Sequence, residues 1–133
     1  PVQQKKMLQK FKDLLAEDGA VILDVYSINR FNQRKEYSSH EYVKQGGFWS
    51  EGEYIGILNI FKYEAEKVIL DKYTLIEKNR MRTFYNWLQF FNKKSLLKSF
   101  TENGFKIEAV YSDLAGLPYA DDALEMAVVA RKC

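Results

Sequence analysis

The stretch Ala20-Val21-Ile22-Leu23-Asp24-Val25-Tyr26 decides how the rest of this chain is read. Its apolar residues run on without the alternation of a half-exposed strand, and Val21, Ile22 and Val25 are β-branched. A short run of this kind, bounded by turn residues, is the pattern of a strand covered on both faces inside a larger sheet. Upstream, Met7, Leu8, Phe11, Leu14 and Leu15 recur at helical spacing over residues 2–17, with Lys5, Lys6, Lys10 and Lys12 on the opposite side. Asp18-Gly19 ends that helix, glycine being the residue that accepts a left-handed conformation at a helix C-terminus. Helix, glycine and buried strand make half of an α/β unit. Such a strand needs neighbours on both edges, and the last two strands of the chain are the partners at hand, which leaves one flank bare. The expectation is a homo-oligomer, in its simplest form a homodimer, associating through that exposed strand edge or through the Met7, Phe11 and Leu14 face of the first helix.

Downstream, residues 27–53 are polar and irregular, with Arg30, Arg34, Lys35, His40 and Gly46-Gly47, and read as a partly helical connection or lid. Strands are predicted over 54–63, 68–77 and 81–91. Their short connectors suit hairpins, which makes the three a three-stranded antiparallel meander. In the third strand Arg82, Phe84, Asn86, Leu88 and Phe90 share one face and Thr83, Tyr85 and Trp87 the other. Neither face is polar throughout, so both are expected to be covered. Asn92 is the predicted N-cap of a second amphipathic helix carrying Leu96, Leu97 and Phe100, and Asn103-Gly104 stops it. Strands over 105–112 and 125–131 close the chain. With no repeat, low-complexity tract or linker, the 133 residues read as a single domain. Its parts are 1–26 (helix and buried strand), 27–53 (lid), 54–91 (meander) and 92–133 (helix and final hairpin).

Composition narrows the function classes. Twenty Lys and Arg against 18 Asp and Glu give a net charge of +2, and 47% apolar residues are enough for a packed core. No apolar run approaches the roughly 18 to 20 residues of a membrane helix, and no secretory leader pattern opens the chain. Cys133 is the only cysteine and His40 the only histidine, so neither an internal disulfide nor a zinc cage of thiolates and imidazoles is possible. A cytoplasmic location is expected. Aromatics beside Lys and Arg are the pattern on which single-stranded RNA stacks, but +2 is little electrostatic support for nucleic acid.

The seven glycines form neither the Gly-rich turn of a dinucleotide site nor a phosphate loop. Ser38-Ser39-His40-Glu41 are sequence neighbours without a nucleophile elbow, and Asp121, Asp122 and Glu125 read as a solvated turn. No catalytic residue and no metal ligand is therefore assigned. Trp49, Tyr54, Phe61, Tyr63, Tyr73, Arg82, Tyr85 and Trp87 are of another kind: aromatics with a few polar groups among them line small-molecule pockets as well as cores.

The segment from Leu14 through Gly19 to Val25 resembles the helix, turn and fifth strand of class I S-adenosylmethionine-dependent methyltransferases, with Glu17-Asp18-Gly19-Ala20 in place of a Lys-Pro-Gly-Gly-like turn. Ser95 through Asn103-Gly104-Phe105 is similar to the family's late helix and its Ala-Gly-Phe entry into the sixth strand, and residues 125–132 to its antiparallel seventh strand. The meander resembles a substrate-side insertion of one bacterial branch, with 82–87 in an Arg-x-Tyr-Asn-like stretch. The resemblance implies an α/β fold, α+β as an isolated chain: the C-terminal half of a Rossmann-like methyltransferase sheet with an inserted three-stranded antiparallel meander. It implies a small-molecule acceptor, contacted by Tyr26, His40, Trp49, Arg82, Tyr85 and Trp87, with Arg82 orienting an anionic or carbonyl group and the aromatics excluding water. S-adenosylmethionine is implied as the cofactor, but the first strand, its Gly-rich turn and the acidic residue that holds the ribose have no counterpart here. The chain opens at Pro1 inside a helix, as a truncated, proteolysed or split protein is expected to, and these residues alone are expected to be inactive. A non-enzymatic ligand-binding domain or a protein-interaction domain is the alternative.

Overall fold

The computed structural model describes residues 2–133 and places the apolar run in a strand. Along the chain the elements are α1 (Val2–Leu14), β1 (Ala20–Ser27), α2 (Ile28–Gln33), β2 (Tyr37–Val43), β3 (Tyr54–Tyr63), β4 (Val68–Glu77), β5 (Arg80–Phe91), α3 (Lys93–Glu102), β6 (Phe105–Tyr111) and β7 (Glu125–Lys132). They fall into two compact units, one of residues 2–30 with Phe90–Cys133, the other Phe31–Gln89.

In the first unit β7 runs antiparallel between β1 and β6, pairing with β1 from Ala20↔Arg131 to Tyr26↔Glu125. The other edge of β1 is paired only at its end, in parallel, through Tyr26↔Phe90 and Ser27↔Phe91. Leu8 of α1, Leu96 and Phe100 of α3, Phe105 of β6 and Met126, Val128 and Ala130 of β7 form the core, and Val21, Leu23 and Val25 pack against it. Alternation then turns Ala20, Ile22 and Asp24 outward, and Ile22 is 66% exposed. The strand read as buried on both faces is thus covered on one, because both helices of this core lie on the same side.

Asn92 caps α3 by accepting from the Lys94 amide at 2.9 Å, and Gly104 follows the helix with φ +78°. Gly19 behaves differently from the expectation: among the described glycines, positive φ is found at 46, 104 and 116 only. A Cβ on Gly19 would lie 3.0 Å from the Leu15 side chain, so it is close approach rather than left-handed backbone that asks for glycine there. Phe11 packs on the core, which leaves Met7 and Leu14 as the exposed apolar residues of the helix face expected to self-associate.

The second unit holds an antiparallel sheet in the order β2-β3-β4-β5. The predicted meander is present, with one strand more at its edge. Residues 27–53 are not a lid throughout: Tyr37–Val43 pairs with β3 along its length, so only the stretches around it are irregular or helical. Tyr54, Ile60, Ile69 and Leu75 are buried on one face of this sheet. Asp71 is buried on that face too, paired with Arg34 at 2.6 Å. On the opposite face Tyr85 and Trp87 are 60% and 57% exposed, so the expectation that β5 is covered on both sides does not hold.

Candidate functional site

In the second unit the loop between β2 and β3 is folded onto the sheet by one carboxylate. Glu77, at the end of β4, accepts from Arg80 Nε at 2.7 Å, from Arg82 Nε at 2.8 Å and from the Ser50 hydroxyl at 2.8 Å. Its side chain is 9% exposed, and its pKa is pulled down to about 2, chiefly by the hydrogen bond from Arg80, then by those from Ser50 and Arg82. Arg82 also donates from Nη2 to the Trp49 carbonyl at 3.0 Å. The carbonyl that Arg82 orients in this structure is therefore that of Trp49.

So held, the Trp49 ring stacks on Phe84 at 5.4 Å and tilts against Tyr73 at 5.0 Å. Beside it lies a cavity of about 230 Å³, lined by Trp49, Tyr73, Leu58, Leu75, Ser39 and Glu41 among others. Gly56 belongs to the same wall. A Cβ there would stand 3.1 Å from a Glu41 carboxylate oxygen, so glycine leaves room for that side chain. The Tyr73 phenol is pushed up, first by burial and then by the negative charge of Asp71. Rings, leucines and one carboxylate make a slot that encloses a small apolar or cationic group, and it contains no nucleophile aligned with a base.

Of the sequence-predicted residues, Trp49 and Arg82 are brought together here. His40 lies in the cavity wall, but strand alternation places its ring on the opposite face from Ser39 and Glu41, and the residue is exposed. Tyr85 and Trp87 alternate with Arg82 and Phe84 and so lie on the other face of β5, where Trp87 packs on Tyr63 at 5.6 Å. Tyr26 belongs to the first unit. It stacks on Phe90 at 5.7 Å beneath the Arg30 guanidinium, which is 4.3 Å from the ring centroid and paired with Glu125 at 2.6 Å. Next to it the buried Ser27 hydroxyl donates to the Ala123 carbonyl, tying the end of β1 to the loop before β7.

Glu77, Asp71 and Arg34 were not singled out from the sequence. The signals were there in part: Asp71 interrupts the apolar run Val68-Ile69-Leu70, and Glu77 precedes Arg80 and Arg82 across a hairpin turn. Among the described residues no group of three or more His, Cys, Asp or Glu is placed to hold a metal ion, and no helix is long and apolar enough to cross a membrane.

Mixed α/β architecture, an antiparallel β7 between β1 and β6, and a sheet inserted between α2 and α3 make a fold similar to about half of several S-adenosylmethionine-dependent methyltransferases of known structure. The CcbJ methyltransferase from Streptomyces caelestis matches 99% of this chain with 51% of its own, at TM-score 0.70 and 10% identity. An S-adenosylmethionine-dependent methyltransferase from Clostridium acetobutylicum matches 96% of the chain with 50% of its own, at TM-score 0.67 and 10% identity. The sugar N-methyltransferase KedS8 from Streptoalloteichus matches 96% with 49%, at TM-score 0.57 and 16% identity. The chain thus spans about half the length of these enzymes, and at such identities the likeness is one of fold. No family model and no curated protein sequence matches the chain.

The residues present do not fit S-adenosylmethionine. Its methionine part needs a glycine-rich strand-to-helix turn, whereas β1 passes into α2 through Ser27-Ile28 with the serine hydroxyl already committed. The glycines with positive φ lie in the β2–β3 loop, after α3 and between β6 and β7.

Proposed function

We propose that this chain is the C-terminal, substrate-side part of an S-adenosylmethionine-dependent methyltransferase that transfers a methyl group to a small or medium-sized acceptor, and that these residues alone are inactive. One observation carries the reading: nearly the whole chain matches half of each such enzyme, while β1 keeps one edge unpaired from Ala20 to Val25 and Ile22 exposed. That edge is where the remaining strands of the sheet would sit, and helices of the missing part would cover the Ile22 face. A cytoplasmic location goes with this reading.

Trp49 is the acceptor contact we favour, with Arg82 acting through it as a positioning residue. Two aromatic rings and the Glu41 carboxylate suit an acceptor that presents an amine. The alternative, a ligand-binding domain without catalysis, is favoured by the cavity beside Trp49 being formed within one unit. A hydrophobic ligand copurifying in native mass spectrometry would support it.

The experiment is calorimetry with S-adenosylmethionine on two proteins: the 133-residue chain, and the same chain extended by the sequence encoded upstream of Pro1. The methyltransferase reading expects no heat from the first and low-micromolar binding by the second. Tight binding by the 133 residues alone, or none by the extended protein, overturns it.

A further inference from the structure

Three carboxylates stand at strand positions on the Trp49 face of the second unit: Glu41, Asp71 and Glu77. Asp71 is paired with Arg34, and Glu77 with Arg80 and Arg82. Lys62, the remaining cation at a strand position of this face, pairs with Glu64. The cations are thus taken, and the Glu41 side chain has neither an ion pair nor a hydrogen bond among the described residues. Gly56 sits opposite Glu41 in the register and is buried. A Cβ there would come within 3.2 Å of Glu41 Cγ, so the unpaired side chain lies across the glycine, in the wall of the cavity that Trp49 and Tyr73 also line.

Size and charge narrow the occupant. At about 30 Å³ per water, a cavity of about 230 Å³ holds about seven waters, the room of one functional group rather than of a whole ligand. One uncompensated negative charge beside two aromatic rings complements a single cation. An anion is repelled by Glu41, and a neutral group leaves the charge unmatched.

The same surroundings decide what that cation does not do. A nitrogen accepts a methyl group only through a free lone pair, so an ammonium must first lose a proton to a base. A neighbouring carboxylate and ring faces favour the charged form, and carboxylates are far weaker bases than alkylamines. The ring of His40, the only histidine, is turned to the opposite face, and the Tyr73 phenol, with its pKa raised by burial, keeps its own proton. Among the described residues of the slot, none takes a proton from an ammonium.

We infer that the slot beside Trp49 is a recognition subsite for an alkylammonium group, with Glu41 as its counter-ion, and that the nitrogen held there is a handle and not the atom that receives the methyl group. Glu41 is then a specificity-determining residue, and Gly56 gives its side chain room. Such a subsite rests on Trp49 being an acceptor contact, and it requires an acceptor whose cation and reacting atom are different groups.

Tetramethylammonium and tert-butyl alcohol have nearly the same shape and differ in charge, and the former has neither a proton to lose nor a lone pair. Each is titrated at constant ionic strength into the whole chain in a Trp87→Phe background, where emission reports Trp49 alone. The expected result is millimolar binding of the ammonium, at least about tenfold tighter than the alcohol, with the ratio falling to about threefold or less in Glu41→Gln. Glu66→Gln, which removes a carboxylate from the turn before β4, should leave the ratio unchanged. If circular dichroism shows Glu41→Gln to be unfolded, Glu41→Thr decides, threonine being an uncharged strand former. Absent binding of the ammonium, an alcohol that binds as tightly, or a preference that survives loss of the Glu41 carboxylate overturns the inference. Cofactor calorimetry is untouched by these outcomes, so the subsite and the methyltransferase reading fail separately.

Discussion

The two units of this chain handle their apolar residues in opposite ways. In the first, α1 and α3 contribute Leu8, Leu96 and Phe100 to a core with β6 and β7, each of those three side chains at most 1% exposed. In the second, one face of the sheet buries Tyr54, Ile69 and Leu75 while the other leaves Tyr85 and Trp87 in solvent. The lesson is that an apolar strand tells how many sides want cover, whereas helices decide how many receive it. β1 and β5 both read as covered on two sides; β1 is covered on one, and β5 leaves Phe84 and Asn86 exposed even on the face it shares with Arg82.

The comparison breaks most readily at Phe100. Its ring is fully buried and packs edge-on against Phe105 at 5.6 Å. Phe100→Ala should cost about 3–5 kcal/mol in urea unfolding of the whole chain, by lost burial and the cavity left behind. Phe48→Ala, removing a ring that is 90% exposed in the second unit, should cost less than about 0.5 kcal/mol. Comparable losses from the two would mean that the loop ring is more enclosed in solution than its exposure shows.

A smaller effect is expected at Asp71. Its carboxylate is 8% exposed and paired with Arg34, which keeps 26% exposure. Asp71→Ala leaves the guanidinium half-buried without its partner, and should cost about 2–3 kcal/mol, below the range for a fully enclosed pair. Replacing both, as Asp71→Leu with Arg34→Met, should recover most of that loss. If the double variant is as unstable as the single one, Asp71 is held by more than its charge.

Much of this fold was legible because local signals agreed. The Asn92 cap and the Asn103-Gly104 stop bracket α3, and the spacing of turn residues placed β3 and β4 at their observed limits. β2 escaped because Tyr37-Ser38-Ser39-His40-Glu41-Tyr42-Val43 is an edge strand: exposed and polar, it shows no apolar alternation until β3 is there to pair with. The candidate site was legible by residue type and not by arrangement. Trp49 and Arg82 could be picked out as an aromatic and a cation, but their contact passes through a backbone carbonyl and Glu77, which no spacing rule encodes. Tyr85 and Trp87 were grouped with them by composition, although β5 turns them to the other side.

The smallest expected effect is the one that isolates this arrangement. The Glu77 carboxyl has its pKa lowered to about 2 in the folded chain, from an ordinary value of 4.5. A carboxylate depressed by folding stabilises fully above its unfolded pKa, and the contribution is lost as the pH falls from about 4.5 through about 2. The Ser50 and Arg82 bonds that fix Trp49 should therefore loosen over that window and remain intact at neutral pH. In a Trp87→Phe background Trp49 is the sole tryptophan, so its emission should shift to the red across this range while far-ultraviolet dichroism persists. Glu77→Gln keeps the shape but removes the charge that draws both arginines. It should give red-shifted Trp49 emission already at pH 7 and abolish the acid step. An acid step that survives Glu77→Gln would assign the titration to another carboxylate and detach the Trp49 loop from Glu77.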